Sequence, residues 1–195
     1  MADASDISRR AALSAPVAMV MGSAACAAEE PTAARPTSKT LIAYFTRSGN
    51  TRVIAKQLQR DLKADLFEIS PAQPYPEDYE QQVAQATRER DAQFEPPLKA
   101  KVTNIAAYDS IYLGFPIWGE TAPPIVRSFL RGHEFSGKTL RPFITHGGYG
   151  PGSSMAVLRS HAPQAQIAEP FVLEADQERR TMNQVRGWLA EIQRS

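Results

Sequence analysis

Leu41-Ile42-Ala43-Tyr44-Phe45-Thr46-Arg47-Ser48-Gly49-Asn50-Thr51 joins an unbroken apolar run of strand length to six residues dense in hydroxyls and amides, with a glycine at the bend. An apolar run without alternation suits a strand covered on both faces, as parallel sheets require. From Arg52 to Leu62 the pattern changes. Ile54, Ala55, Leu58 and Leu62 share one helical face, while Lys56, Gln59, Arg60 and Lys63 cover the other. A buried strand, a polar turn and a docked amphipathic helix are the first half of a parallel crossover unit.

The same beat continues downstream. Leu66 to Ile69 alternates enough for a half-exposed edge strand, ended by the proline-rich stretch Ser70 to Pro76, and Glu77 to Asp91 is expected to be helical. Ile111 to Phe115 is the next buried strand, and Pro123-Pro124 opens a helix whose face is Ile125, Val126, Phe129 and Leu130. Leu140 to Thr145 is expected as a fourth strand. Pro142 removes a donor there, which places it at the strand's start or at a bulge. Ser153 to Ser160 forms a short helix, Ile167 to Leu173 contains a fifth strand interrupted by Pro170, and Met182, Val185, Leu189 and Ile192 mark a terminal helix. Trp188 on that helix is either core or interface. Five alternating units predict an α/β fold, a parallel sheet with helices on both faces, because each parallel pair needs a right-handed crossover.

The turn at Thr46 to Thr51 is suited to an anion. Its backbone N–H groups and those of the first helical turn converge at the positive end of the helix dipole, and Thr46, Ser48, Asn50 and Thr51 add side-chain donors. A helix-capping connection is the plainer alternative. The turn lacks the Gly-Lys pairing of a nucleoside triphosphatase loop and lacks G-x-G-x-x-G, so neither ATP hydrolysis nor a dinucleotide site is favoured.

Tyr44-Phe45-Thr46-Arg47-Ser48-Gly49-Asn50-Thr51 resembles the phosphate loop of flavodoxins, and the resemblance runs from about Lys39 to the C-terminus. It implies a flavodoxin-like three-layer sandwich with a five-stranded sheet in the order 2-1-3-4-5, and FMN as a non-covalent cofactor. Two further loops lie at carboxyl ends of strands, the edge where open α/β sheets bind ligands. One is Gly114 to Pro123, with Pro116, Ile117, Trp118 and Gly119. The other is Thr145 to Gly152, with His146, Gly147, Gly148 and Tyr149. Similar loops in flavodoxins grip the isoalloxazine. The resemblance therefore implies cofactor contacts from Thr46, Arg47, Ser48, Gly49, Asn50 and Thr51 to the phosphate, and from these two loops to the ring, with Trp118 and Tyr149 stacked on its faces. It also makes Gly119 the match for the backbone amide that meets flavin N5. A Glu120 carboxylate pointing inward would oppose negative charge on the reduced ring. His146 is a candidate proton donor, while His133 and His161 are expected at the surface.

Composition narrows the function. Apolar residues are 43%, charged residues 22% and the net charge is +1, with no basic stripe for nucleic acid. One cysteine, Cys26, excludes an internal disulfide and a thiolate cluster, and the three histidines lack metal-ligand spacing. Residues 1–28 have the profile of an export signal. Arg9-Arg10 precede an uncharged run from Ala11 to Ala28, which resembles a twin-arginine signal, with the Sec route as its rival. Cleavage near Ala25-Cys26-Ala27 is the preferred reading; the alternative is lipid attachment at Cys26, opposed by Ser23 where a branched aliphatic residue is usual. Residues 29–38, rich in Pro, Thr and Ala, read as a linker, and 39–195 as the FMN-binding domain.

Twin-arginine export carries folded proteins, which agrees with a cofactor acquired in the cytoplasm. The expectation is therefore a periplasmic electron carrier whose partner is a redox protein or a small quinone-like acceptor. The domain's near-neutral charge separates it from strongly acidic flavodoxins that dock to basic faces. Two alternatives stand beside it: an FMN-dependent NAD(P)H:quinone-type oxidoreductase, and a phosphate-ligand binding protein without redox-active flavin. Oligomeric state is left open.

Overall fold

The apolar run at 41–45 is buried because the chain covers it from both sides. The computed structural model describes residues 39–174 and 178–194, with the side chains of all but 178–183. The expected signal at 1–28 and linker at 29–38 lie outside the described residues. Strands β1 (Lys39–Tyr44), β2 (Asp65–Glu68), β3 (Tyr108–Pro116), β4 (Thr139–His146), β5 (Gln166–Ile167) and β6 (Phe171–Glu174) alternate with helices α1 (Asn50–Leu62), α2 (Tyr79–Asp91), α3 (Pro124–Arg131), α4 (Ser154–His161) and α5 (Glu178–Ile192). The sheet is parallel throughout, in the order β2-β1-β3-β4-β5, with β6 also paired to β4. The fold is the flavodoxin-like one expected, the fifth position being shared by two short segments.

Successive residues of each strand face opposite layers, so one sheet builds two cores. Leu41, Ala43, Ile111, Leu113, Phe115, Leu140 and Ile144 pack with Ile125, Val126 and Phe129 of α3 and Leu158 of α4. Ile42, Tyr44, Tyr112 and Phe143 pack with Ile54, Ala55 and Leu58 of α1 and Val185 and Leu189 of α5. Trp188 belongs to this second core. Its ring, half-buried, stacks on Phe171 (4.9 Å, 16°) and meets Tyr112 edge-on (5.5 Å), so it packs against the core. Among the described residues no helix is long and apolar enough to cross a membrane.

Two expectations need correction. Pro142 sits in the middle of β4, paired in register with Leu113, and not at its start or at a bulge. Ala168 donates to the Leu140 carbonyl and Gln166 to that of Lys138, so even-numbered residues of β4 turn their backbone groups toward the outer strand. Pro142 has the same phase. Its missing N–H faces the interval between β5 and β6, where the outer strand is not paired to β4, and the ladder between β3 and β4 runs unbroken past it.

The histidines expected at the surface are the second correction. His133 is half-buried against Phe129 (4.5 Å between ring centres). Its Nε2 accepts from the Val102 N–H at 2.9 Å, which leaves Nδ1 to donate to the Phe129 carbonyl at 2.8 Å. His161 is also tucked in, with Nδ1 2.9 Å from the Val157 carbonyl. Burial, offset in part by the bond to Phe129 and reinforced by the Lys101 charge, lowers the His133 pKa below its usual 6.5. The unfolded chain therefore takes up a proton there before the folded one does. Stability contributed by neutral His133 is complete above about pH 6.5 and declines as pH falls below it. Urea unfolding between pH 5 and 8 is expected to show this slope, and His133→Gln is expected to flatten it; an equal slope in both proteins would exclude His133 as its source.

Candidate FMN site

The six-residue turn after β1 is held by its own side chains. The Gly49 N–H donates to Thr46 Oγ1 at 3.0 Å, and Gly49 adopts φ +96°, the left-handed conformation that lets the chain enter α1. Ser48 is exposed and Thr51 is buried. Arg47 turns aside: its guanidinium donates to the Glu77 carbonyl at 2.9 Å and lies over the Tyr79 ring at 5.5 Å, tying the turn to the start of α2.

Behind the turn, Tyr44 and Arg52 both donate to the Glu68 carboxylate, at 2.8 and 2.7 Å. Burial alone would raise the Glu68 pKa, but these two hydrogen bonds and the charges of Arg52 and Lys56 together hold it below the usual carboxylate value. An ionised Glu68 balances Arg52, a cation in the first turn of α1 where the helix dipole disfavours one.

The loop after β3 is a two-residue hairpin. Trp118 and Thr121 exchange backbone bonds (3.0 and 3.4 Å), and the two residues between them, Gly119 and Glu120, both have positive φ (+55° and +63°). The ring of Trp118 is half-buried, edge-on to Phe45 (5.1 Å, 80°) and to Tyr75 (4.9 Å, 84°). Tyr75 is fixed in turn by donating to Glu89 at 2.7 Å; burial and that carboxylate push its phenol far above the usual range. After β4, His146 Nδ1 accepts from the N–H groups of Gly148 (3.0 Å) and Gly150 (3.2 Å), so the ring proton is assigned to Nε2. Gly147 and Gly148 are exposed, and Tyr149 stands in solvent at 86% exposure.

Three hydrogen bonds join these loops at one rim of the sheet. Thr51 Oγ1 and Thr145 Oγ1 are 2.9 Å apart and buried, the Ile117 N–H donates to the Thr145 carbonyl at 2.9 Å, and the Ser153 N–H donates to the Glu120 carbonyl at 2.9 Å. Thr145 is the hub, bonding the phosphate-loop helix with its side chain and the β3 loop with its backbone. Thr51→Val leaves the Thr145 hydroxyl buried without that partner and is expected to cost about 1–3 kcal/mol in urea unfolding. A stability equal to wild type would show that the bond does not hold the rim together.

Two clefts share Arg47 and Trp118 as a wall. One, about 460 Å³, is lined by Phe45, Thr46, Ser70 and Tyr75 among others; the other, about 250 Å³, by Ser48, Gln82, Pro116, Ile117 and Gly119 among others. A third cleft, about 500 Å³, meets the second at Arg90, Gly119 and Thr121 and includes Tyr149. The second cleft carries an unanswered acceptor: Gln82 is 3% exposed and its Oε1 has no hydrogen-bond partner. A buried acceptor without a donor suits a ligand that brings polar N–H or O–H groups. Gln82 was not recognisable as a site residue in the sequence; the available sign is the row Gln82, Ala86, Glu89, which puts polar residues on the buried face of α2.

Residues 39–192 match the family profile of flavodoxins. The chain belongs to the flavodoxin family. A candidate flavoprotein from Bacteroides eggerthii is 36% identical, with 80% of this chain and 98% of that one covered and a TM-score of 0.69. A second, from Bacteroides uniformis, is 30% identical over 78% and 98%, with a TM-score of 0.70. A Lactobacillus acidophilus flavoprotein, solved in complex with FMN, shares the fold at 18% identity over 75% and 99% (TM-score 0.60). Comparison with curated proteins gives no match. Among the described residues of this flavodoxin domain no group of His, Cys, Asp or Glu is placed to hold a metal ion.

Proposed function

We propose that this flavodoxin-family chain binds FMN non-covalently at the rim and serves in electron transfer. The observation that supports it best is the bonding of three loops through Thr145 and Glu120, which brings the anion-suited turn beside the Trp118 hairpin. Ser48, Asn50 and the free N–H groups at the start of α1 would hold the phosphate. Gln82 Oε1 would accept from the ligand, and Trp118, Gly119 and the His146–Tyr149 loop would border the ring. FMN, when bound, supplies reversible one- and two-electron chemistry. Trp118, anchored by Phe45 and Tyr75, keeps its wall rigid and limits water on that side. His146, with Nδ1 committed to the loop backbone, keeps a proton on Nε2.

The visible spectrum of purified protein, before and after adding FMN, tests the reading. A yellow protein retaining stoichiometric FMN through gel filtration is expected; a colourless one that ignores FMN would defeat it in favour of a phosphate-ligand binder. Absence of NAD(P)H oxidation with a quinone present is expected of a carrier and separates it from a reductase. Location and partner are part of the proposal. The twin-arginine-like Arg9-Arg10 segment supports export to the periplasm, with a redox protein or quinone-like molecule as partner.

A further inference from the structure

The third cleft, across the Gly119–Glu120 hairpin from Ser48 and Trp118, shares Gly119 and Tyr149 with the border assigned to the flavin ring, but its two arginines have no part in that reading. Its lining brings together Arg90 from α2 and Arg127 from α3, with Ser153 just before α4, Tyr149, and one carboxylate, Glu120. Arg127 Nε is buried and has no hydrogen-bond partner. The acid whose charge it feels, Glu95, is engaged elsewhere, bonding Arg131 at 2.8 Å and lying 3.6 Å from His161. Arg90 is bonded to its exposed neighbour Asp91 at 3.1 Å, and its Nη1 lies so close to Gly119 that a Cβ on that glycine would overlap it. Burial lowers the Arg127 pKa, the Glu95 charge offsets part of that and the Arg90 charge adds to it, so the cation is not fully compensated where it stands.

Such an arrangement is costly unless something completes it. A guanidinium presents a planar fork of donors matched to two oxygens of one anion, and a cleft of about 500 Å³ is within the size range of small-molecule sites. We propose that the cleft between Arg90 and Arg127 binds the oxyanion group, carboxylate or phosphate, of a small molecule. Arg127 is the principal contact, Arg90 the second, and Glu120 opposes them. The anion site does not depend on flavin. A molecule held there does touch the same hairpin that the FMN reading assigns to the ring, which favours a small-molecule partner over a docked protein.

Calorimetric titration of the protein in saturating FMN, with succinate and separately with pyrophosphate, tests this, since FMN keeps the phosphate loop filled. At least one probe is expected to bind in the millimolar range or tighter, and the stronger probe distinguishes a carboxylate from a phosphate site. Arg127→Met is expected to weaken binding at least tenfold, Arg127→Lys less, and Glu120→Gln to strengthen it. Arg159→Met, an exposed change on α4 outside the cleft, serves as the control for net charge. No binding of either probe, or equal losses in Arg127→Met and Arg159→Met, would overturn the site. If Arg127→Met fails to fold, Glu120→Gln still decides: unaltered or weaker binding counts against the proposal. Flavin absorbance, followed in parallel, reports separately on FMN occupancy, so failure of one reading is not mistaken for failure of the other.

Discussion

Gly114→Ala is expected to destabilise the fold by about 3 kcal/mol or more, the upper end of what one added methyl costs in a packed core. Gly114 lies on β3 opposite Phe143 of β4, and a Cβ there would overlap three carbons of the Phe143 ring. That ring cannot step aside: Phe143 is fully buried in the layer that holds Ile54, Leu58, Val185 and Leu189. For a domain of this size the change corresponds to a fall in Tm of about 6–12 °C. Thermal unfolding measures it, and the double variant with Phe143→Leu is expected to recover most of the loss by vacating the space. A single variant as stable as wild type would mean that the two strands separate more easily than their register suggests.

Gly152→Ala is expected to act on the ligand rim instead. Its added Cβ would overlap the Glu120 carbonyl oxygen, the acceptor of the Ser153 N–H bond, and its φ of +49° disfavours a side chain in addition. The apo protein relieves both by letting the loops part. Binding FMN has to bring them back, so the cost, about 2 kcal/mol, reappears as roughly a 30-fold weaker Kd. Titration of apoprotein with FMN, read from the visible spectrum, measures the effect. Gly137→Ala makes the comparison: its φ is +70°, but a Cβ there meets nothing within 4 Å. It is expected to lose stability through backbone strain while keeping wild-type affinity. If Gly152→Ala also keeps it, the contact between the two loops does not contribute to the site.

The route from sequence to site was short where one stretch of chain carried the whole signal. The turn at Thr46 to Thr51 announces itself because its donors, its glycine and the start of α1 are consecutive, so local geometry alone converges them. The loops after β3 and β4 were recognisable for a related reason: a parallel sheet with crossover helices sends all its strand ends to one edge. The site's charged flank left no such trace. Arg90 and Arg127 are 37 positions apart on different helices, and each reads as an ordinary solvated charge until packing buries the Arg127 Nε without a partner. Gln82 and His133 were hidden likewise, since a polar residue on a helix gives no sign of whether its partner will be protein, water or ligand.

By itself the sequence determined the order of strands and helices, because apolar periodicity records which residues must leave water, and that requirement is local to each element. The tertiary structure decided what pairs with what. Pro142 is accommodated inside β4 where the outer strand breaks opposite it, the three loops form one rim only because Thr51 and Thr145 meet across 94 positions of chain, and Trp188 packs on the core only because Phe171 and Tyr112 come together beneath it. Hydrogen bonds and close contacts act over a few ångströms in space whatever their separation along the chain, so they come into being only when the sheet has set its register.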